Sequence, residues 1–397
     1  MKKHRLWIER VGLISMLCSL LLTGCWDRTE INDLAIVLAT GVDYVDEKVQ
    51  LTAQIFIPRK GSGGAESGSS GTSASGVTMT RTAEGQTIAE ALNRLQRKVA
   101  RNMFWGHCEV IVISEQAGKN GIREYIDFLL RYPQFREHAY VFSSSEAAKD
   151  VLAILDPLER SSAESLREMA NMKLGTRVTV LQLAQSIEGP SRSAILSRML
   201  ILPTEPGQDR LATTPYLKGL SLYKNDTYVK TVQEPLSLGV LLLSNELDNI
   251  IMPVEVKPSK GSFSIRAVDV KTVLVPHIRN QEWTMEIHIH SKGEVVLNTT
   301  DDDLTDPSKM AKLQQAWTDR LKELAEKALQ MSQKELKSDF FKFATQFRRY
   351  YPHQWTIHQQ EWEKIYSEMN VNIDVKVAIV STGKSIGPQG IPEQSAY

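Results

Sequence analysis

The stretch LAIVLATGVDYVDEKVQLTAQIFI, residues 34–57, decides the class of the fold. Its two halves, 34–43 and 49–57, are rich in branched apolar residues, which favours β-strands. The acidic pair Asp46-Glu47 lies between them and predicts a turn. The chain is therefore expected to open its first domain with a β-hairpin.

A helical pattern begins at Thr87, after the hairpin and one further strand-like segment. Thr87 has the side chain of an N-cap, and apolar residues recur behind it at helical spacing. Further alternation of strand and helix patterns predicts a mixed α and β domain over residues 25–187. The segments concerned are a helix from Thr87 to Val99, strands at 110–113 and 139–142, and helices at 122–130, 147–155 and 163–172.

A run of Gly and Ser occupies residues 61–76 and contains no core-forming residues. Such a composition predicts a flexible loop. The loop is expected to lie inside the first domain, because a strand-like sequence resumes at once over 77–83.

The chain breaks at Glu188-Gly189-Pro190, and a small middle domain is predicted over 188–260 with a hairpin at Asn225-Asp226. The third domain, 261–397, contains the longest helical pattern, 306–337, and ends in an alternating strand over 371–380. The predicted fold class is α+β, with three mixed α/β domains in one lipid-anchored chain and a long helix in the third.

The N-terminus has the features of a bacterial lipoprotein signal. Basic residues precede a short apolar segment, 11–22, which is too short for a permanent membrane span. Leu22-Thr23-Gly24-Cys25 then forms a lipobox. Residues 1–24 are therefore predicted to be a signal peptide and Cys25 the lipidation site. Two acyl chains anchor a protein stably, so the mature chain is expected on the extracytoplasmic face of a membrane.

Composition limits the partners and the covalent structure. The chain has 47 basic and 47 acidic residues, and this balance gives no electrostatic footprint for nucleic acid. Cys108 is the one cysteine left after signal removal and lipidation of Cys25. No intramolecular disulfide is therefore expected, and stability must come from packed cores.

Two sequence motifs resemble catalytic ones. Residues 378–385, AIVSTGKS, approach a phosphate-binding loop, but Ala378 replaces the first glycine and no helix can start at the following Gly387-Pro388. Ser221 and Lys224 match a serine-nucleophile spacing, but on a predicted strand they point to opposite faces. Neither motif supports catalysis, so no catalytic residue is predicted.

Three other clusters contain residue types that occur in reactive or metal-binding sites. His107 and Cys108 are adjacent, although a nucleophile pair requires convergence in space. Glu286, His288 and His290 share one face of a predicted strand, but no fourth ligand completes a site. The acidic run 301–303 precedes the long helix, and negative charges at a helix N-terminus interact favourably with the helix dipole. No metal and no cofactor are predicted.

Several segments stand in a recognisable order behind the lipobox. Together they resemble the C-subunit lipoproteins of spore germinant receptors, the Ger(x)C family, over essentially the whole mature chain. The Gly/Ser loop 61–76 is a departure. The segments are GCWDRxEINDLAIV at 24–37, GVD at 41–43, AEGQT at 83–87, ALNRLQ at 91–96, RxMFWGH at 101–107, DFL at 127–129, RYP at 131–133, DFF at 339–341 and PxxW at 352–355.

This resemblance implies a non-enzymatic lipoprotein subunit on the outer face of the spore inner membrane. Such subunits act with two integral-membrane partners, the A and B subunits. The complex triggers spore germination in response to nutrients such as amino acids or sugars. The motifs do not give the molecular role of the C subunit, and direct binding of a small molecule remains open.

An extracytoplasmic solute-binding lipoprotein of a transporter is the alternative. Such proteins have two lobes of repeated strand–helix units around a hinge. The hairpins in the middle of this chain and its late long helix count against that arrangement.

The segment Phe104-Trp105-Gly106-His107 has two interpretations. Its aromatic residues are candidate anchors of a partner interface. Packing of those residues in the core of the first domain is the favoured interpretation.

Overall fold

A computed structural model describes residues 7, 11–12, 31–57, 77–258 and 260–383. Cys25 and the Gly/Ser loop 61–76 lie outside the described residues. The described chain forms two sheets with helices packed against them, which confirms the predicted mixture of α and β structure.

The first sheet has the order β3-β2-β1-β5-β6-β7-β8-β9, with β4 paired to β1. Its centre is parallel, because β1, β5, β6 and β7 run the same way, and antiparallel hairpins flank that centre on both sides. The strands are β1 (Leu34–Val45), β2 (Lys48–Phe56), β3 (Thr78–Gly85), β4 (Asn102–Phe104), β5 (Val110–Ser114), β6 (Tyr140–Ser144), β7 (Ser193–Ile201), β8 (Pro215–Lys224) and β9 (Thr227–Val232).

Helices cover both faces of this sheet, so its central strands are buried almost without interruption. One apolar core includes α1, α3 and α6, and a second, smaller core includes α4 and α5. The helices are α1 (Ile88–Gln96), α2 (Glu115–Asn120), α3 (Arg123–Arg131), α4 (Ala148–Ala153), α5 (Ser162–Asn171) and α6 (Val180–Glu188).

The first hairpin forms as its sequence predicts. Asp46 and Glu47 connect β1 and β2 with φ angles of 49° and 58°. Two consecutive residues with positive φ are typical of the tight turn whose twist matches that of paired strands. Thr87 caps α1 as predicted, since its side chain accepts a hydrogen bond from the Glu90 amide at 3.2 Å.

The second sheet has the order β10-β11-β12-β13, and its last two strands are parallel. One apolar core lies between this sheet and the C-terminal helices. The elements are α7 (Leu236–Leu243), β10 (Ile251–Val254), β11 (Phe263–Arg279), β12 (Glu282–Asn298), α8 (Pro307–Gln330), a π-helix (Met331–Leu336), α9 (Phe343–Tyr350), α10 (Pro352–His358), α11 (Trp362–Glu368) and β13 (Asn370–Ser381).

The predicted long helix is confirmed as α8, but its last turn differs. The last residues of the helical pattern predicted from the sequence, Met331–Leu336, form a π-helix that continues α8. There the buried Ser332 hydroxyl donates to the Ser338 carbonyl at 2.6 Å, and the Gln333 amide donates to the Tyr366 carbonyl at 2.8 Å. These side-chain hydrogen bonds satisfy the carbonyls of Ser338 and Tyr366 and attach the π-helix to the chain around it.

The segment predicted as a middle domain, 188–260, is shared between the two sheets. Its strands β7, β8 and β9 continue the first sheet, whereas α7 and β10 join the second core. The division into units that fold independently, with limits at 187 and 260, stays a prediction. Among the described residues, no helix is both long and apolar enough to cross a membrane.

The second core depends on a close contact between α8 and β12. Trp317 is fully buried over Gly293, and a Cβ atom built on Gly293 would lie 2.3 Å from the indole ring. We therefore expect Gly293→Ala to lower the free energy of unfolding by about 1–3 kcal/mol through overpacking. Urea denaturation of the purified chain measures the change.

The contact itself can be separated from the cost of a bulkier strand residue by a double-mutant cycle. In a Trp317→Phe background, Gly293→Ala should cost distinctly less, because the clashing ring is smaller. An equal cost in both backgrounds would contradict the contact.

Candidate functional site

Residues near the start of β1 lie where the chain leads back toward Cys25. Leu34–Ile36 of β1 pair in parallel with Asn102–Phe104 of β4. The next residues of that second segment are Trp105, Gly106 and His107. The segment that carries much of the family resemblance therefore lies beside the start of β1.

Trp105 belongs to the core, as the favoured interpretation predicted. It is 1% exposed and packs on Phe135 with a ring separation of 4.9 Å, while its backbone amide donates to the Gln134 side chain at 3.2 Å. A Cβ atom on Gly106 would lie 2.4 Å from the Phe104 ring, so a larger residue there would displace that ring. His107 is exposed, and its ring packs edge-to-face against the half-buried Phe104 ring, so the two form a small polar and aromatic surface.

Cys108 is poorly suited to nucleophilic chemistry. It is fully buried, its sulfur lies 3.1 Å from the Thr40 hydroxyl, and burial raises the pKa of the thiol to about 12. A thiol with so high a pKa carries almost no thiolate at neutral pH. The adjacent His107 faces solvent, so the two side chains have different environments.

Ser221 and Lys224, which match the spacing of a serine nucleophile and its lysine, have different surroundings in β8. Ser221 is fully buried and its hydroxyl has no hydrogen-bond partner among the described residues. Lys224 instead forms an ion pair with Glu363 of α11 at 3.0 Å. The lysine thus links the first sheet to the C-terminal helices.

The histidines of the second sheet form a chain of polar contacts on its outer face. Glu286 lies 3.5 Å from both His277 and His288, and His288 lies 3.5 Å from Asp374. His290 is exposed one step further along β12. Among the described residues, no group of three His, Cys, Asp or Glu side chains has an arrangement that could hold a metal ion.

The acidic residues before α8 organise the start of that helix. Asp306 is the N-cap and accepts a hydrogen bond from the Ser308 amide at 2.8 Å, while Asp303 accepts one from the Thr305 amide at 2.9 Å. Hydrogen bonds from the Thr305 amide and hydroxyl lower the pKa of Asp303, and those from the Ser308 hydroxyl and amide lower the pKa of Asp306.

The motif that approaches a phosphate-binding loop lies at the end of the last strand. Its residues 378–381 lie within β13, and 384–385 lie outside the described residues.

A buried carboxylate joins the two sheets at their seam. Asp339 is 2% exposed and accepts hydrogen bonds from the Phe343 and Ala344 amides at 3.0 and 2.7 Å, which caps α9. The Ser191 hydroxyl, just before β7, donates to the same carboxylate at 2.7 Å, and the Ser193 hydroxyl donates to the Asp339 carbonyl. We call this group the seam clasp. Sequence reasoning noticed Asp339 only as part of a family motif.

A cavity of about 380 Å³ lies beside the seam clasp. Its walls come from both sheets and include Ile195 of β7, Leu274 of β11 and Phe340. Glu246 projects a half-buried carboxylate there, and burial raises its pKa against the opposing influence of Arg177 and nearby lysines. Its carboxylate forms no ion pair or hydrogen bond with the described residues. Periodicity gave no sign of this site, because its walls are far apart in sequence.

Two family models match this chain in succession. Residues 27–201 match the spore germination protein N-terminal domain, and residues 218–383 match the spore germination B3/GerAC-like C-terminal domain. The two matches include both sheets, so they account for nearly all of the described fold.

Full-length relatives give the same result. The chain is 27% identical to putative spore germination protein YfkR of Bacillus subtilis (strain 168), over 94% of this chain and 96% of that protein. It is 26% identical to spore germination protein KC of the same organism, over 95% and 97%. The crystal structure of the GerBC protein matches with a TM-score of 0.56 and 16% identity, over 86% of this chain and 97% of that one. That likeness shows a shared fold.

The seam clasp should be essential to stability. Asp339→Ala removes the acceptor for two buried amides and the Ser191 hydroxyl, so we expect a loss of about 3 kcal/mol in the free energy of unfolding. Chemical denaturation measures it. Asp319→Asn on the exposed face of α8 is the surface control, and an Asp339→Ala chain as stable as this control would contradict the clasp.

The same residue predicts a pH dependence. Burial raises the pKa of Asp339 in the folded chain above its ordinary value of 3.8. Its contribution to stability is then largest below that value and falls as pH rises through the raised pKa. The stability of the natural chain relative to Asp339→Asn should therefore fall from pH 4 to pH 7. A difference that is constant or grows with pH would show that the pKa is not raised.

Proposed function

We propose that this chain, which belongs to the GerAC-like family of spore germination proteins, is the lipid-anchored extracytoplasmic subunit of a nutrient germinant receptor. The observation that carries the proposal is the succession of both family matches over residues 27–201 and 218–383. Relatives of the same length, named as spore germination proteins, support it.

The anchor in this proposal is a diacylglyceryl group on Cys25. Leu34, the first residue of β1, follows Cys25 by nine residues. A fully extended connection of that length spans at most about 30 Å. The start of β1, β4 and the Phe104–His107 segment would then lie close to the bilayer. The proposed location is the outer face of the spore inner membrane.

The proposed partners are two integral-membrane proteins, the A and B subunits of the receptor. Tethering confines the chain to the same membrane and raises its effective concentration at their exposed surfaces. His107 and the edge of Phe104 offer a contact surface at the membrane-proximal end. The subunit would respond together with these partners to small nutrients such as amino acids or sugars.

The role proposed for the chain is assembly, without a catalytic step or a cofactor. The buried Cys108 with its raised pKa and the pairing of Lys224 with Glu363 support this view. Both residues belonged to motifs that would have suggested an enzyme.

One observation favours the alternative, a solute-binding lipoprotein of a transporter. The cavity beside the seam clasp, of about 380 Å³, is large enough for an amino acid or a sugar, and the Glu246 carboxylate in its wall forms no ion pair within the described part of the chain. Isothermal titration of the purified chain with L-alanine, L-valine and glucose separates the two functions. Micromolar binding by the isolated chain would favour the solute-binding function.

The anchor is tested by Cys25→Ala. The variant should fold but lose stable attachment, because no diacylglyceryl chain can form on alanine. The fraction of the chain that sediments with membranes after a salt wash measures this. Cys18→Ala, inside the predicted signal peptide, is the matched control and should remain attached. A fully membrane-bound Cys25→Ala chain that has lost its signal peptide would contradict lipidation.

The receptor role is tested with spores that lack this chain. Germination is measured against a panel of amino acids and sugars, with a non-nutrient trigger as control. We expect loss of the response to one set of nutrients while the non-nutrient response persists. Unchanged responses to every nutrient, in spores also lacking the related subunits, would contradict the proposed function.

A further inference from the structure

The last strand of the chain forms an edge of the second sheet. β13 pairs with β12 along one side, from Asn370 to Ser381. No backbone hydrogen bond from the described ranges 31–57, 77–258 and 260–383 reaches its other side. An edge of 12 residues without a partner among the described residues is unusual, because unpaired amides and carbonyls invite the addition of another strand.

The side chains of β13 alternate between two kinds. Those that face the core are branched and apolar, and four of the five remain partly exposed at the edge. Those that face outward are mostly polar or small, with Asp374 and Lys376 at the centre and the exposed Val380 as the exception. The inward set is Val371, Ile373, Val375, Val377 and Ile379.

The spacing of Asp374 and Lys376 is self-complementary. In an antiparallel pair of two copies centred on Val375, Asp374 of each copy lies opposite Lys376 of the other. A two-fold interface requires this kind of match, in which a patch pairs with itself. The same register places Val371 opposite Ile379 and Ile373 opposite Val377, so the apolar face continues across the junction.

The charges are available for this pairing. Lys376 has 69% of its side chain exposed and lies 3.7 Å from Asp374 of its own strand. Asp374 has 43% exposed and also lies 3.5 Å from His288. A lone lysine would protect an edge against added strands, but the aspartate two residues away supplies its partner in the two-fold register.

We propose that β13 is a self-association surface, which pairs antiparallel with β13 of a second copy about a two-fold axis at Val375. The two sheets then merge into one sheet of eight strands. A single strand pair buries little area, so the contact is weak for free chains. Confinement to one membrane strengthens it.

A cysteine on the proposed axis tests the register directly. In the full-length chain in its own membrane, Val375→Cys should give a disulfide-linked dimer on mild oxidation, since facing Cβ atoms lie about 5 Å apart. Val371→Cys and Ile379→Cys are the matched controls. Each should stay monomeric alone, because its own counterpart lies about 27 Å away, and the two should cross-link when mixed.

A charge exchange tests the complementarity. On the Val375→Cys background, Lys376→Asp places an aspartate opposite Asp374 of the other copy at both symmetry-related positions and should reduce cross-linking about ten-fold. Adding Asp374→Lys restores opposite charges and should restore the cross-link. A Val375→Cys chain that stays monomeric, that links only to a different protein, or that ignores the charge exchange would overturn the proposal.

Discussion

The buried carboxylate of Asp339 is the constraint on which the arrangement of the two halves depends. It caps α9 through the Phe343 and Ala344 amides and holds the Ser191 hydroxyl ahead of β7. An unpaired carboxylate at this depth would be costly, so the donors from both sides must be in place together. The seam clasp thereby connects α9 to the start of β7, and Ser193 and Phe340 line the cavity beside it.

This arrangement gives the molecule a defined end and a defined edge. The start of β1 and the Phe104–His107 segment lie together at one end of the first sheet. The free side of β13 belongs to the other sheet, so a contact near the membrane and a contact between copies need not compete. The Lys224–Glu363 ion pair and apolar residues of β7, β8 and β9 that belong to the second core also hold the two halves together.

Local patterns in the sequence predicted the elements with strong signals. The hairpin around Asp46 and the helix capped by Thr87 depend on turn and capping chemistry within a few residues. The patterns missed β4 and β10, which are only three and four residues long and exist through their partners. The joining of β7–β9 to the first sheet was also invisible, because pairing across a sheet is a long-range property.

The sites show the same contrast. The opposite placement of Ser221 and Lys224 follows from the alternation of side chains along a strand. The seam clasp does not, since Ser191 and Asp339 are 148 residues apart in the chain.

The central claim is that this chain works as an anchored subunit beside integral-membrane partners. Purification of the tagged chain from detergent-solubilised spore membranes, with identification of the co-purifying proteins by mass spectrometry, tests it most directly. The account predicts two integral-membrane proteins in constant proportion to the chain. A chain that purifies alone under cross-linking conditions, or with the permease of a solute transporter, would contradict it.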